Sequence, residues 1–170
     1  IGITSSHILK KLNNNSRLFC IEANPELYKV LKTNLNLNAK SNNYYFENKL
    51  INYNNKNIFF KKEKEFLLSK IDNISDKENL IAIESIQLNE IIKKFDIKLY
   101  NLVCDIEGSE IFILLKDSNI LENCKVLIIE LHPINYNNYK YEIKDIENII
   151  VGLGFTKVDE QHACKVYLKK

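Results

Sequence analysis

Short, dense apolar runs alternate along this chain with stretches whose apolar residues recur every three or four positions. Leu18-Phe19-Cys20-Ile21 and Val126-Leu127-Ile128-Ile129 are the clearest runs, and the second is the strongest strand signal present. Continuous runs of this kind suit strands buried on both faces, as in a parallel sheet. Between them Leu27, Val30, Leu31 and Leu35 follow Pro25 at helical spacing, and so do Leu88, Ile91, Ile92 and Phe95, then Ile143, Ile146, Ile149 and Ile150. Strands alternating with helices predict an α/β fold, a mostly parallel sheet with helices on both faces. At 170 residues the chain has room for one well-filled core, and residues 1–170 are read as a single domain without internal repeats.

The remaining elements follow from local signals. Ile8, Leu9 and Leu12 predict an opening helix, with hydroxyls at Thr4 to Ser6 to cap it. Tyr44-Tyr45-Phe46 reads as a strand, and residues 52–60 read as a hairpin turning at Asn54–Asn57. The charged stretch from Lys61 to Asn79 carries no usable pattern, whereas Ile81–Ile86 alternates as a half-exposed strand does. Leu99–Cys104 is expected to be a buried strand, Ser109–Leu115 a helix, and Ile134–Tyr141 a polar-aromatic loop. After Gly152 and Gly154, Phe155–Val158 and Lys165–Leu168 predict a closing antiparallel pair.

Composition excludes several classes of function. A net charge of +2 provides no field for gathering nucleic acid or anionic lipid. Arg17 is the only arginine, so any cationic work falls to lysine. No apolar run is long enough to span a bilayer, and the start lacks the layout of a signal peptide. Cys20, Cys104, Cys124 and Cys164 form no C-x-x-C pair and lie apart in sequence from His7, His132 and His162, which argues against zinc. A reduced, cytoplasmic protein is expected. The chain begins at Ile1 and holds no Met, so a segment preceding Gly2 is expected to be missing.

Three strands end in acids: Glu22 after the first, Asp105 with Glu107 after Leu102-Val103-Cys104, and Glu130 with His132 after the strongest. In an open α/β sheet these ends share one edge, where ligands bind. Desolvating carboxylates is costly, so such a gathering needs a polar ligand or access to water. An acid at the end of a second strand accepts hydrogen bonds from a ribose diol in dinucleotide and adenosyl sites, and Glu22 is assigned that role. The alternative for Glu22 is a helix-start acid beside Pro25. Gly2, entering a helix, stands where a glycine-rich cofactor loop would end.

The order Gly2-Ile3-Thr4-Ser5, Ile21-Glu22-Ala23-Asn24-Pro25, Leu88-Asn89-Glu90-Ile91, Asp105-Ile106-Glu107-Gly108-Ser109-Glu110 and Ile129-Glu130-Leu131-His132-Pro133 resembles the FkbM-type family of S-adenosylmethionine-dependent methyltransferases. Gly152-x-Gly154-Phe155 and Lys165–Leu168 fit the helix and antiparallel hairpin that close the Rossmann-like class I methyltransferase fold. The departure is at the front, where the family's first strand and glycine-rich loop are absent except for the tail at Gly2. The resemblance implies S-adenosylmethionine as cofactor and methyl transfer to a hydroxyl on a sugar, polysaccharide, glycolipid or polyketide-type acceptor.

On that resemblance Gly2, Glu22, Asn24, Asn48 and Asp105 are cofactor-side residues. Asn24 and Asn48 would lie near adenine, and Asp105 near the methionine end. Asn24 serves equally as a turn or cap residue, and Asn48 as plain loop. Glu107 and His132 are the candidates for taking the acceptor's proton or binding sugar hydroxyls, with a structural His before Pro133 as the alternative. Glu110 is read as a helix-dipole or capping partner. Tyr136, Tyr139 and Tyr141 suit stacking on sugar rings. The acids at 105, 107 and 110 imitate a divalent-ion site, but no metal is assigned. Competing readings are a catalytically inactive methyltransferase-like binding domain and an NAD-binding Rossmann enzyme.

Overall fold

The structure is a computed structural model describing residues 2–13, 15–39, 43–53, 58–61 and 80–170. Its contacts divide it into two compact units, Ile1–Ser85 and Ile86–Lys170. The Asn54–Asn57 turn and the charged stretch over 62–79 lie outside the described residues.

In the first unit, helix α1 (Ile3–Lys11) leads to strand β1 (Leu18–Ile21), helix α2 (Pro25–Asn38) and strand β2 (Tyr44–Glu47). Strands β1 and β2 pair in parallel, from Leu18 opposite Tyr44 to Ile21 opposite Glu47. Helix α2 starts where the sequence says it should. The Asn24 side chain accepts from the backbone N–H groups of Glu26 and Leu27, and Pro25 fills a first-turn position that has no use for an N–H. Leu31 and Leu35 then bury against Leu9 and Cys20, with Leu12, Leu18 and Phe46 around them. Each such leucine contributes about 1.5–3 kcal/mol by leaving water.

The start of α1 departs from expectation. Gly2, not a hydroxyl residue, is the N-cap, at φ 69°, and no side chain caps the helix. A Cβ at Gly2 would lie 3.1 Å from Leu31 Cδ1 and 3.2 Å from Leu31 Cα, so α1 enters against α2 at a point where only glycine fits. Strand β1 is also less buried than its apolar run implies, with Cys20 buried and its neighbours half-buried. Three short strands complete the unit: β3 (Leu50–Ile51), β4 (Ile58–Lys61) and β5 (Leu80–Ile83). Strand β4 pairs antiparallel with β5, Ile58 opposite Ile83, so the expected hairpin within 52–60 is instead a pairing with a distant segment. The alternating stretch 81–86 breaks at Glu84, and Ser85–Ile86 forms a separate two-residue strand, β6.

The second unit runs from helix α3 (Leu88–Lys94) through strand β7 (Tyr100–Cys104), helix α4 (Glu110–Lys116) and a 3-10 turn to strand β8 (Cys124–Glu130). A hairpin of β9 (Ile134–Tyr136) and β10 (Tyr139–Tyr141), helix α5 (Ile143–Gly152) and strands β11 (Phe155–Gln161) and β12 (Cys164–Lys169) follow. The sheet order is β11-β12-β8-β7, with β7 and β8 parallel and β12 antiparallel to both its neighbours. The closing antiparallel pair is therefore present. Leu114, Leu121, Leu127, Ile129, Ile150 and Tyr167 are among the fully buried side chains of this core.

Two expectations in this unit are corrected. Strand β7 is not buried on both faces: Val103 is 45% exposed, and Leu99 lies outside the strand at 63% exposed. Among the described residues β7 pairs with β8 alone, and a strand at the side of a sheet has fewer neighbours to cover it. The Tyr/Asn segment is a hairpin rather than a loop, Ile134 opposite Tyr141, turned by Asn137 and Asn138 at φ 51° and 60°. Paired positive φ angles are the signature of the tight turn that matches strand twist. Among the described residues no helix is long and apolar enough to cross a membrane.

Candidate functional site

Each parallel pair brings its strand-end residues to one edge. In the first unit Glu22 follows β1 and Asn48 follows β2, and the two are linked. The Asn48 side-chain amide donates to the Glu22 carbonyl at 2.7 Å and the Ala23 carbonyl at 3.0 Å. The Glu22 carboxylate accepts from the Asn24 backbone N–H at 2.8 Å. Asn24 is buried and takes the cap role described above. Glu22, Asn24 and Asn48 thus form one hydrogen-bonded corner, while Gly2 sits at the α1–α2 approach.

In the second unit the register sets Cys104 opposite Ile129, so Asp105, just past β7, comes out beside Glu130, the last residue of β8. The turn after β7 carries successive positive φ values, 54° at Glu107 and 98° at Gly108. A non-glycine residue in this region costs about 1–2 kcal/mol and turns its side chain away from the ordinary path. Gly108 brings the turn close to His132 Cβ and Ile134 Cδ1, 4.0 and 3.8 Å from where its own Cβ would be.

Glu110 is the centre of this arrangement. It is wholly buried, yet both carboxylate oxygens are used: Ile106 N–H donates to Oε1 and Gly108 N–H to Oε2, each at 2.8 Å. His132 Nδ1 lies 3.3 Å from Oε1. The other ring nitrogen, Nε2, lies 3.6 Å from Glu107 and 4.0 Å from Glu130. Burial pushes the Glu110 carboxyl above its ordinary range, while the backbone amides and His132 pull the other way. Ser109 holds the N-cap position of α4, but its side chain makes no capping bond. Glu110 is therefore more than a dipole partner, because it ties the turn 106–108 to His132.

Asp105, Glu107 and His132 offer ligand atoms that lie within 4.8 Å of one another, a donor set of the type that holds a divalent cation. Asp105 and Glu107 are exposed, and exposed acids gather in this way without a metal. Among the described residues no Lys or Arg ion-pairs with Asp105, Glu107, Glu110 or Glu130. The site is anionic, with a single imidazole in it.

Beside it Tyr136 packs edge-on against Phe112 with centroids 4.9 Å apart, and Tyr139 meets Tyr141 at 4.7 Å. Of the three tyrosines only Tyr139 is more exposed than buried. Sequence reasoning missed one buried polar pair: Asn89 donates to Asp117 through its backbone and its side chain, at 3.0 and 2.8 Å.

In open α/β sheets, residues at the carboxyl ends of parallel strands, as these acids and this imidazole are, stand where ligands bind. The family model described as the methyltransferase FkbM domain matches residues 2–157, and the chain belongs to that family of methyltransferases. No curated protein and no solved structure gives a significant match.

Proposed function

We propose that the protein is an S-adenosylmethionine-dependent O-methyltransferase of the class I arrangement, acting in the cytoplasm on a hydroxyl of a sugar, polysaccharide, glycolipid or polyketide-type acceptor. The observation that carries this reading is the anionic surround of His132, formed by Asp105, Glu107, Glu110 and Glu130 without a lysine or arginine partner among the described residues. Such a site attracts a cationic donor, and an imidazole in it suits an acceptor that must lose a proton. The free cysteines at 20, 104, 124 and 164 accord with a reducing compartment.

When bound, S-adenosylmethionine supplies a methyl carbon on a cationic sulfur, so the acceptor oxygen's pair forms the C–O bond while the C–S pair stays with sulfur. Glu22, held by Asn24 N–H and steadied through Asn48, would accept from a ribose diol. Asp105 would supply a carboxylate to the ammonium end. His132 Nε2 takes the acceptor's proton, with Glu107 beside it to bind a neighbouring hydroxyl or stabilise the charged ring. Tyr139 provides an exposed ring for sugar stacking.

Calorimetric titration of S-adenosylmethionine, together with methyl transfer to a panel of glycans and polyketide alcohols, tests the reading. Glu22→Ala should weaken cofactor binding about tenfold or more, and His132→Ala should lower turnover with little change in cofactor affinity. Absence of cofactor binding would remove the reading, and binding without transfer to any acceptor would favour an inactive binding domain.

A further inference from the structure

A glutamate at the first position of a helix ordinarily sits in water and interacts with the helix dipole. Glu110 is out of water instead: it is 0% exposed, and both oxygens are engaged by backbone donors of the preceding turn. Those two N–H groups have no acceptor role available to them, so the carboxylate is the accepting partner in both bonds. Oε1 keeps a second lone pair, and what faces it is His132 Nδ1 at 3.3 Å.

We propose that Glu110 is a positioning residue that holds His132 in its Nδ1–H tautomer and thereby leaves Nε2 as the proton acceptor of the site. The inference rests on the reading of His132 as the group that takes the acceptor's proton. An acceptor-only oxygen at Nδ1 requires a proton there, and in the neutral ring the lone pair then belongs to Nε2. Nε2 is the nitrogen turned toward the exposed Glu107 and the half-buried Glu130, where an acceptor would enter. The separation at Nδ1 is at the long end for a hydrogen bond, as such bonds often are before substrate binds. The same carboxylate fixes the turn that carries Asp105 and Glu107, so one buried group sets both walls of the site.

A purely structural role for Glu110 predicts something different, and the test reads that difference. The intact protein labelled with 15N-histidine has three imidazoles, His7, His132 and His162, and His132→Asn assigns the relevant one. In long-range 15N–1H spectra the wild-type His132 ring should show the Nδ1–H tautomer, and finding Nε2–H overturns the proposal. In Glu110→Gln that preference should fall toward a mixture, with kcat reduced about tenfold to a hundredfold and KM for S-adenosylmethionine within twofold. Ring shifts in Glu110→Gln identical to wild type also overturn it, even if the variant melts earlier. The wild-type spectrum decides the matter if Glu110→Gln fails to fold. Should the spectra come out as expected while the wild type transfers no methyl group, the methyltransferase reading fails and the tautomer assignment stands by itself.

Discussion

Asn48 holds Glu22 from behind. Its side-chain amide spans the carbonyls of Glu22 and Ala23, so the carboxylate at the end of β1 is presented by a corner whose backbone is fixed from the end of β2. Removing the amide leaves two half-buried carbonyls without their partner. Asn48→Ala should cost about 1–3 kcal/mol of stability, measured by urea denaturation. It should also weaken S-adenosylmethionine binding, although Asn48 need not touch the cofactor. Asn48→Asp presents carboxylate oxygen to the same carbonyls and should be at least as damaging.

What the sequence revealed and what it hid have separate physical causes. Helix α2 was legible because a cap, a proline and a regular leucine stripe agree on one structure. Strand β8 was legible from an uninterrupted apolar run. The burial of β7 was not, because an apolar run does not say how many strands will flank it, and Val103 is left exposed. The β9–β10 hairpin had a signal in Asn137-Asn138, two residues that tolerate positive φ, but the Asn-rich background masked it. Within the site, Asp105, Glu107 and Glu110 look alike as letters. Only the path of the turn sends the first two outward and buries the third against donors, and no periodic pattern encodes that path.

Glu107 shows a conflict between conformation and function. It occupies a left-handed conformation at φ 54° with its side chain largely exposed, so it contributes little packing and carries backbone strain. Glu107→Gly should relieve that strain and raise stability by up to about 1 kcal/mol, read as a higher denaturation midpoint. The same change removes the carboxylate beside His132 Nε2, so methyl transfer should fall. A variant at once more stable and less active is the expected pairing. Lower stability would mean that the exposed carboxylate holds the turn together.

Asp117 is fully buried, and Asn89 donates to both of its oxygens. The pair joins the start of α3 to the end of α4. Asp117→Ala takes the acceptor from the half-buried Asn89 donors and should cost about 1–3 kcal/mol. Asp117→Asn keeps the shape but replaces one accepting oxygen with a donor facing a donor, and should recover only part of the loss. Thermal unfolding of the two variants beside wild type measures the difference.

The ion pairs among α5, β11 and β12 predict the response to acid. Lys157 and then Lys165 hold the Glu160 carboxyl down at about 2, against an ordinary 4.5. Glu147, against the upward push of its partial burial, is also held low by the same lysines. A carboxylate lowered in the folded state contributes stability that is present above its unfolded value and lost as pH falls through its folded value. Stability should therefore be level above about pH 5 and decline between about 4.5 and 2. Glu110 works in the opposite sense, since its raised carboxyl favours the folded chain as pH falls. The informative comparison is with Lys157→Met and Lys165→Met, in which Glu110 is unchanged. Both variants should flatten the acid limb of a stability-against-pH curve, and 1 M salt should flatten the wild-type limb mainly through the exposed Lys157–Glu160 pair. Lys165 is buried between Glu147 and Glu160, so its pairing should survive the salt that screens Lys157. If Lys165→Met leaves the acid limb as steep as in wild type, the lysine pairing is not what sets it.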